Sequence, residues 1–80
     1  MRLDKYLKVS RLIKRRTVAN EACDAGRVMV GGKVARASYE VKTGDELAIT
    51  LGAKTLRVRV TEVKELVRKD GAGAMYEPLE

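Results

Sequence analysis

The spacing of the apolar residues changes once, at Gly26, and that change restricts the fold more than any other feature of the chain. Upstream the spacing is helical. Leu3 and Leu7 stand four apart and Leu12 and Ile13 extend the same side, which predicts a helix over 3–14, with Ser10 placed to break it between two turns. A second helix is expected from Thr17, its N-cap, with Glu21 in its first turns and Gly26 as the residue that ends it. Ala19, Ala22 and Cys23 share one face of that helix, widened by Val18 and Ala25, and such small side chains let two helices approach closely. Downstream of Gly26 the period is 2. Val28 and Val30 alternate with Arg27 and Met29, Gly31-Gly32 supplies a two-residue hairpin turn, and Val34 begins the return strand. Lys42-Thr43-Gly44-Asp45 is another turn, Leu47, Ile49 and Leu51 alternate along a third strand, and Gly52-Ala53-Lys54 turns again. Leu56, Val58 and Val60 alternate along a fourth strand whose polar face carries Arg57 and Arg59. The economical architecture is α+β, with two short helices packed on a small, twisted antiparallel sheet.

The pattern loosens after residue 63. Lys64 to Lys69 fits either a continued strand or a short helix, Gly71-Ala72-Gly73 reads as flexible, and Ala74-Met75-Tyr76 with Leu79 is a small apolar patch. One domain over 1–63 followed by a C-terminal tail over 64–80 is therefore expected. A chain of 80 residues buries only about 60% of the surface of its unfolded form, so its stability should be modest. With no Trp and no Phe, aliphatic residues must fill the core.

The side-chain inventory argues against catalysis. There is no His, Ser10 and Ser38 have no evident general base, and no Walker-type or dinucleotide-binding glycine pattern occurs. The acids Asp4, Glu21, Asp24, Glu40, Asp45 and Glu46 fall near helix ends, turns or solvated faces, where capping explains them. Cys23 is the single cysteine, so neither an internal disulfide nor a metal site is expected, and it reads as a small buried hydrophobe. No cofactor is expected. No signal peptide or membrane-spanning run is recognised, which places the expected location in the cytoplasm.

Charge points to the partner. Seventeen Lys and Arg against eleven Asp and Glu give a net charge of +6, a field that favours a polyanion. Arg2, Lys5, Lys8, Arg11, Lys14, Arg15 and Arg16 place seven cations in the first 16 residues, against the single acid Asp4. Solubility is better served by interspersed signs, whereas clustered cations suit phosphate contact. A membrane surface would need bulky apolar anchors, and Leu3 and Leu7 are required by the core. A major-groove reader would present Asn, Gln or Arg along a recognition helix, where this chain has Ala, Ala and Cys. Tyr6, Tyr39 and Tyr76 form no strand-borne stacking pair, so recognition of folded RNA by shape and phosphate path fits best. Tyr6 is expected at the edge of the core with its hydroxyl in water.

Taken in order, Arg2-Leu3-Asp4-Lys5-Tyr6-Leu7, Ser10-Arg11, Arg15-Arg16-Thr17-Val18-Ala19, Ala25-Gly26-Arg27-Val28-Met29-Val30, Ser38 and Val41-Lys42-Thr43-Gly44-Asp45-Glu46-Leu47 resemble the S4 (alpha-L) RNA-binding domain family. Residues 1–16 and Ala74-Met75-Tyr76 resemble, within that family, the stand-alone ribosome-associated quality control P factors of Firmicutes. The resemblance implies a non-catalytic monomer that binds large ribosomal subunits obstructed by peptidyl-tRNA. It implies contacts with 23S rRNA and P-site tRNA, and cooperation with RqcH in C-terminal alanine tailing of stalled chains. Arg2 and Arg16 match the RNA-contacting arginines of that group, with Arg11, Lys14 and Arg15 as neighbours. Two other readings are a heat-shock-type S4 protein that recycles large subunits with nascent chains, and a regulatory S4 protein that binds structured mRNA. The heat-shock type usually has a longer basic C-terminal extension, whereas this tail carries Glu77 and Glu80.

Overall fold

The computed structural model describes residues 1–63 and 75–79. Helix α1 spans Leu3–Val9 and begins without a side-chain cap. Its first donors are satisfied by a neighbouring loop: Leu3 N–H donates to the Tyr39 carbonyl (2.8 Å) and Asp4 N–H to the Ala37 carbonyl (3.2 Å). The helix stops well before residue 14. Ser10 is its C-cap, with N–H donating to the Tyr6 carbonyl (2.9 Å) and Oγ to the Leu7 carbonyl (3.3 Å). Arg11 then adopts a left-handed conformation (φ 66°) that no continuing helix tolerates. Ile13 still reaches the core, but through a turn, which is why the apolar spacing alone overextends the helix.

Helix α2 spans Arg16–Asp24. Its N-cap is Arg15 rather than Thr17. The extended backbone of Arg15 presents the first acceptor, to Ala19 N–H at 3.0 Å, and leaves Thr17 inside the first turn. The buried face of Ala19, Ala22 and Cys23 packs as expected. At the other end Gly26 (φ 74°) closes a Schellman motif, with Gly26 N–H on the Cys23 carbonyl (3.0 Å) and Arg27 N–H on the Ala22 carbonyl (2.9 Å).

Five antiparallel strands follow: β1 Val28–Val30, β2 Lys33–Val34, β3 Glu46–Leu51, β4 Lys54–Val60 and β5 Tyr76–Pro78. Their spatial order is β2-β1-β3-β4-β5. Pairing of Val30 with Lys33 leaves Gly31 and Gly32 as the loop, both at positive φ (59° and 84°), as a type I′ turn requires. The register aligns Val30, Leu47 and Val58 in one row and Val28, Ile49 and Leu56 in the next, so one sheet face meets the helices. Leu51 and Leu56 follow the alternation but are partly exposed, because they lie toward the far end of the β3–β4 hairpin.

Strand β5 has no counterpart in the sequence reading. It pairs with β4 (Val60 with Tyr76, Val58 with Pro78), and Met75 just before it is fully buried. Tyr6 also departs from expectation: it is fully buried, and its hydroxyl donates to the Met75 carbonyl at 2.8 Å. Burial raises the Tyr6 pKa far above that of a free phenol, with Tyr76 adding to the effect, so the hydroxyl remains a donor. The choice of strand or helix for Lys64 to Lys69, and the glycines Gly71 and Gly73, lie outside the described residues.

Met75→Ala should therefore cost about 2–5 kcal/mol of stability in chemical denaturation, as emptied core sites do. Lys8→Ala on the exposed side of α1 should stay within about 0.5 kcal/mol. A Met75→Ala midpoint equal to that of Lys8→Ala would mean that β5 does not belong to the folded core.

Candidate RNA interface

Asp4 is the organising side chain of the basic face. It lies in the first turn of α1 and is only 2% exposed, so its carboxylate requires compensation inside the protein. Oδ1 accepts from Arg2 Nε (3.2 Å) and from the Lys5 backbone N–H (2.8 Å). Oδ2 accepts from Arg16 Nε (3.3 Å) and Asn20 Nδ2 (3.3 Å). Burial alone would raise the Asp4 pKa, but the hydrogen bonds from Asn20, Arg2, Arg16 and Lys5 outweigh it and hold the carboxyl below its usual range. It is ionised at neutral pH.

Both arginines use Nε for this bond and are about half exposed (49% each). Their terminal amino groups make no hydrogen bond among the described residues. A cleft of about 380 Å³ runs beside Arg16, lined by Asp4, Arg16, Thr17, Asn20 and Glu21. The start of α2 borders it, with no side-chain cap and no acid in its first turn, so its leading N–H groups present a partial positive charge there.

The structure thus brings Arg2 and Arg16 together on one carboxylate across 14 residues of sequence. Lys5 and Lys8 lie on α1, half-buried and exposed respectively. Arg11, Lys14 and Arg15 are exposed on the connection between the helices, and they and Lys8 form no ion pair among the described residues. Arg11 is the one non-glycine residue at positive φ among those described. Glycine would occupy this conformation without strain. Sequence reasoning missed Asp4 and Asn20 as the groups that aim the arginines. The available signal was that Asp4 is the lone acid among seven cations.

Cys23 is buried as expected, and burial, reinforced by the negative charges of Asp4 and Asp24, pushes its thiol up to about 11. Among the described residues there is no cluster of metal-ligating side chains and no helix long and apolar enough to cross a membrane.

Comparison with known proteins identifies the family and the fold. Residues 1–47 match the family model of the S4 domain. The chain is 60% identical over 77 residues to an RQC P-site tRNA stabilizing factor of Halalkalibacterium halodurans, covering 96% of this chain and 88% of the relative. It is 54% identical over 76 residues to the protein of the same name in Bacillus subtilis, covering 95% and 88%. Among solved structures, trimeric heat shock protein 15 of Vibrio cholerae superimposes with a TM-score of 0.90 at 25% identity, covering 98% of this chain and 80% of that one.

The depressed pKa of Asp4 sets a pH signature. Its stabilising contribution is complete above the unfolded carboxyl pKa of about 4 and is lost as pH falls through the lower folded value. Asp4→Asn should therefore be less stable than wild type at pH 7, by about 1–2 kcal/mol once screening at the half-exposed arginines is allowed for. The gap should narrow below about pH 4. Denaturation midpoints of the two proteins from pH 7 to pH 2 measure this, and a gap that does not vary with pH would rule out the ionised Asp4 as its source.

Proposed function

This chain belongs to the S4 domain family, and from that membership we propose that it binds RNA on the ribosome through the Asp4-anchored pair Arg2 and Arg16. The observation that carries the reading is the pair itself. A buried carboxylate holds two half-exposed guanidinium groups by Nε, which keeps their terminal amino groups for phosphate oxygens, and Arg16 stands at an uncapped helix start. Lys5, Lys8, Arg11, Lys14 and Arg15 extend the positive face around it and lengthen the phosphate path it can follow.

The names of the relatives make the reading more specific. Proteins 54–60% identical to this chain are named P-site tRNA stabilizing factors of ribosome-associated quality control. On that basis the protein acts in the cytoplasm on large ribosomal subunits obstructed by peptidyl-tRNA. There it contacts 23S rRNA and the P-site tRNA and supports alanine tailing of stalled chains together with RqcH. Its role is to hold RNA rather than to catalyse a reaction, and it acts as a monomer.

Arg16→Ala should leave a folded protein by circular dichroism and lose stable association with tRNA-obstructed large subunits in sucrose gradients, with alanine tailing falling in parallel. Arg16→Lys should restore binding only in part, because an ammonium cannot both bond Asp4 through Nε and present a planar fork. Normal co-sedimentation and tailing by Arg16→Ala would refute this assignment of the site.

Arg11→Gly separates binding from stability. Glycine relieves the left-handed backbone, so stability should be unchanged or rise by up to about 1 kcal/mol. Affinity for large subunits should nevertheless fall, and its dependence on salt should become shallower by up to about one phosphate contact. Full affinity in Arg11→Gly would remove Arg11 from the interface.

A further inference from the structure

The cations carried by the sheet are not all neutralised in the same way. Toward the β5 edge, Arg59 is neutralised within the protein: Nη1 bonds Glu77 at 3.0 Å, and Nη2 lies 3.8 Å from Glu46. At the β2 edge, Lys33 and Arg36 are exposed and make no ion pair among the described residues. They line a groove of about 420 Å³ with Val30, Val34, Ser38 and Tyr39. Val34 is 61% exposed there, a large apolar side chain set between two unneutralised cations.

The acids near this groove are already engaged. Asp45 Oδ2 accepts from the Tyr39 hydroxyl (2.9 Å) and from Lys42 N–H (2.9 Å). Glu40 pairs with the amino group of Met1. Bonding to Asp45 also fixes the half-buried Tyr39 ring as a rigid wall, and this bond, more than burial, raises its hydroxyl pKa. The groove therefore offers fixed apolar surface flanked by free positive charge. That combination suits a nucleotide, with phosphate on the cations and sugar or base on the apolar wall.

Its position ties it to the Asp4 site. The loop that follows Arg36 is the one whose Ala37 and Tyr39 carbonyls accept from Asp4 and Leu3 N–H. Glu40 in the same loop bridges to Arg2. The loop that contributes Ser38 and Tyr39 to the groove is thus hydrogen-bonded to the start of the helix that carries Asp4.

We propose that the Lys33–Arg36 groove is a second RNA contact, which takes the phosphodiester backbone of ribosome-bound RNA beyond the reach of Arg2 and Arg16. This rests on the RNA-binding reading above and extends it to residues outside the N-terminal basic cluster.

The test is binding of purified large ribosomal subunits across a salt series by wild type, Lys33→Ala/Arg36→Ala, Arg36→Gln, Arg16→Ala and Arg59→Ala, each first checked for folding by circular dichroism. The double variant should bind roughly tenfold more weakly near physiological salt, with a log–log salt slope shallower by about 1–2. Arg36→Gln should show part of the same change, and it carries the test if the double variant folds poorly. Arg59→Ala should match wild type although it removes the same charge as Arg36→Gln. If the groove variants bind as wild type while Arg16→Ala does not, the groove proposal fails and the function reading stands. If Arg16→Ala also binds as wild type, the function reading fails with it. An affinity loss with unchanged slope would identify a partner other than phosphate, such as a ribosomal protein, and overturn the proposal. An equal loss in Arg59→Ala would reduce the effect to bulk charge and overturn it as well.

Discussion

A carboxylate that is almost completely removed from water must be compensated where it stands, and the design of this protein follows from that requirement at Asp4. The compensating groups come from three places: Arg2 ahead of α1, the backbone at Lys5, and Arg16 with Asn20 on α2. One buried charge therefore cross-links the two helices and orients two guanidinium groups that would otherwise sample many rotamers. Arginine side chains lose considerable rotamer freedom when they bind a ligand, and a pair restrained beforehand loses less. The interaction that joins the two helices is the same one that restrains the two guanidinium groups.

The rest of the basic face gains its meaning from which cations are left unneutralised. Arg59 is held between Glu46 and Glu77 and presents little net charge, whereas Lys8, Arg11, Lys14 and Arg15 have no carboxylate partner among the described residues. Seven of the seventeen cations fall within the first 16 residues, on and around the helix pair. The fork at Arg2 and Arg16 differs from these neighbours because its geometry, and not only its sign, is specified.

Features encoded over short distances were legible in the sequence. Gly26 marks the helix end because only a left-handed residue completes that cap, and Gly31-Gly32 marks the hairpin because a type I′ turn needs positive φ twice. The alternation Leu47, Ile49 and Val58, Val60 gives the buried sheet face directly. What escaped was encoded at a distance. The end of α1 was obscured because Leu12 and Ile13 continue the helical spacing after Ser10 and Arg11 have already turned the chain. The role of Asp4 depends on partners 12 and 16 residues away, so its neighbours in sequence suggest only an acid among cations. Strand β5 is three residues long, and it is defined by its pairing to β4 rather than by any pattern of its own.

The hydrogen bond from Tyr6 to the Met75 carbonyl joins groups 69 residues apart, and this has a consequence for how the protein is made. Helices and hairpins form from neighbours, but the pocket around Tyr6 cannot close until the chain beyond residue 75 is available to it. Contacts of such long range are completed late, because the entropy of closing the loop is lost before the contact contributes. During synthesis the paired helices can therefore assemble around Asp4 while the core beneath them is still open. The molecule acquires its final rigidity only once Met75 and the strand that follows it can pack under the helices.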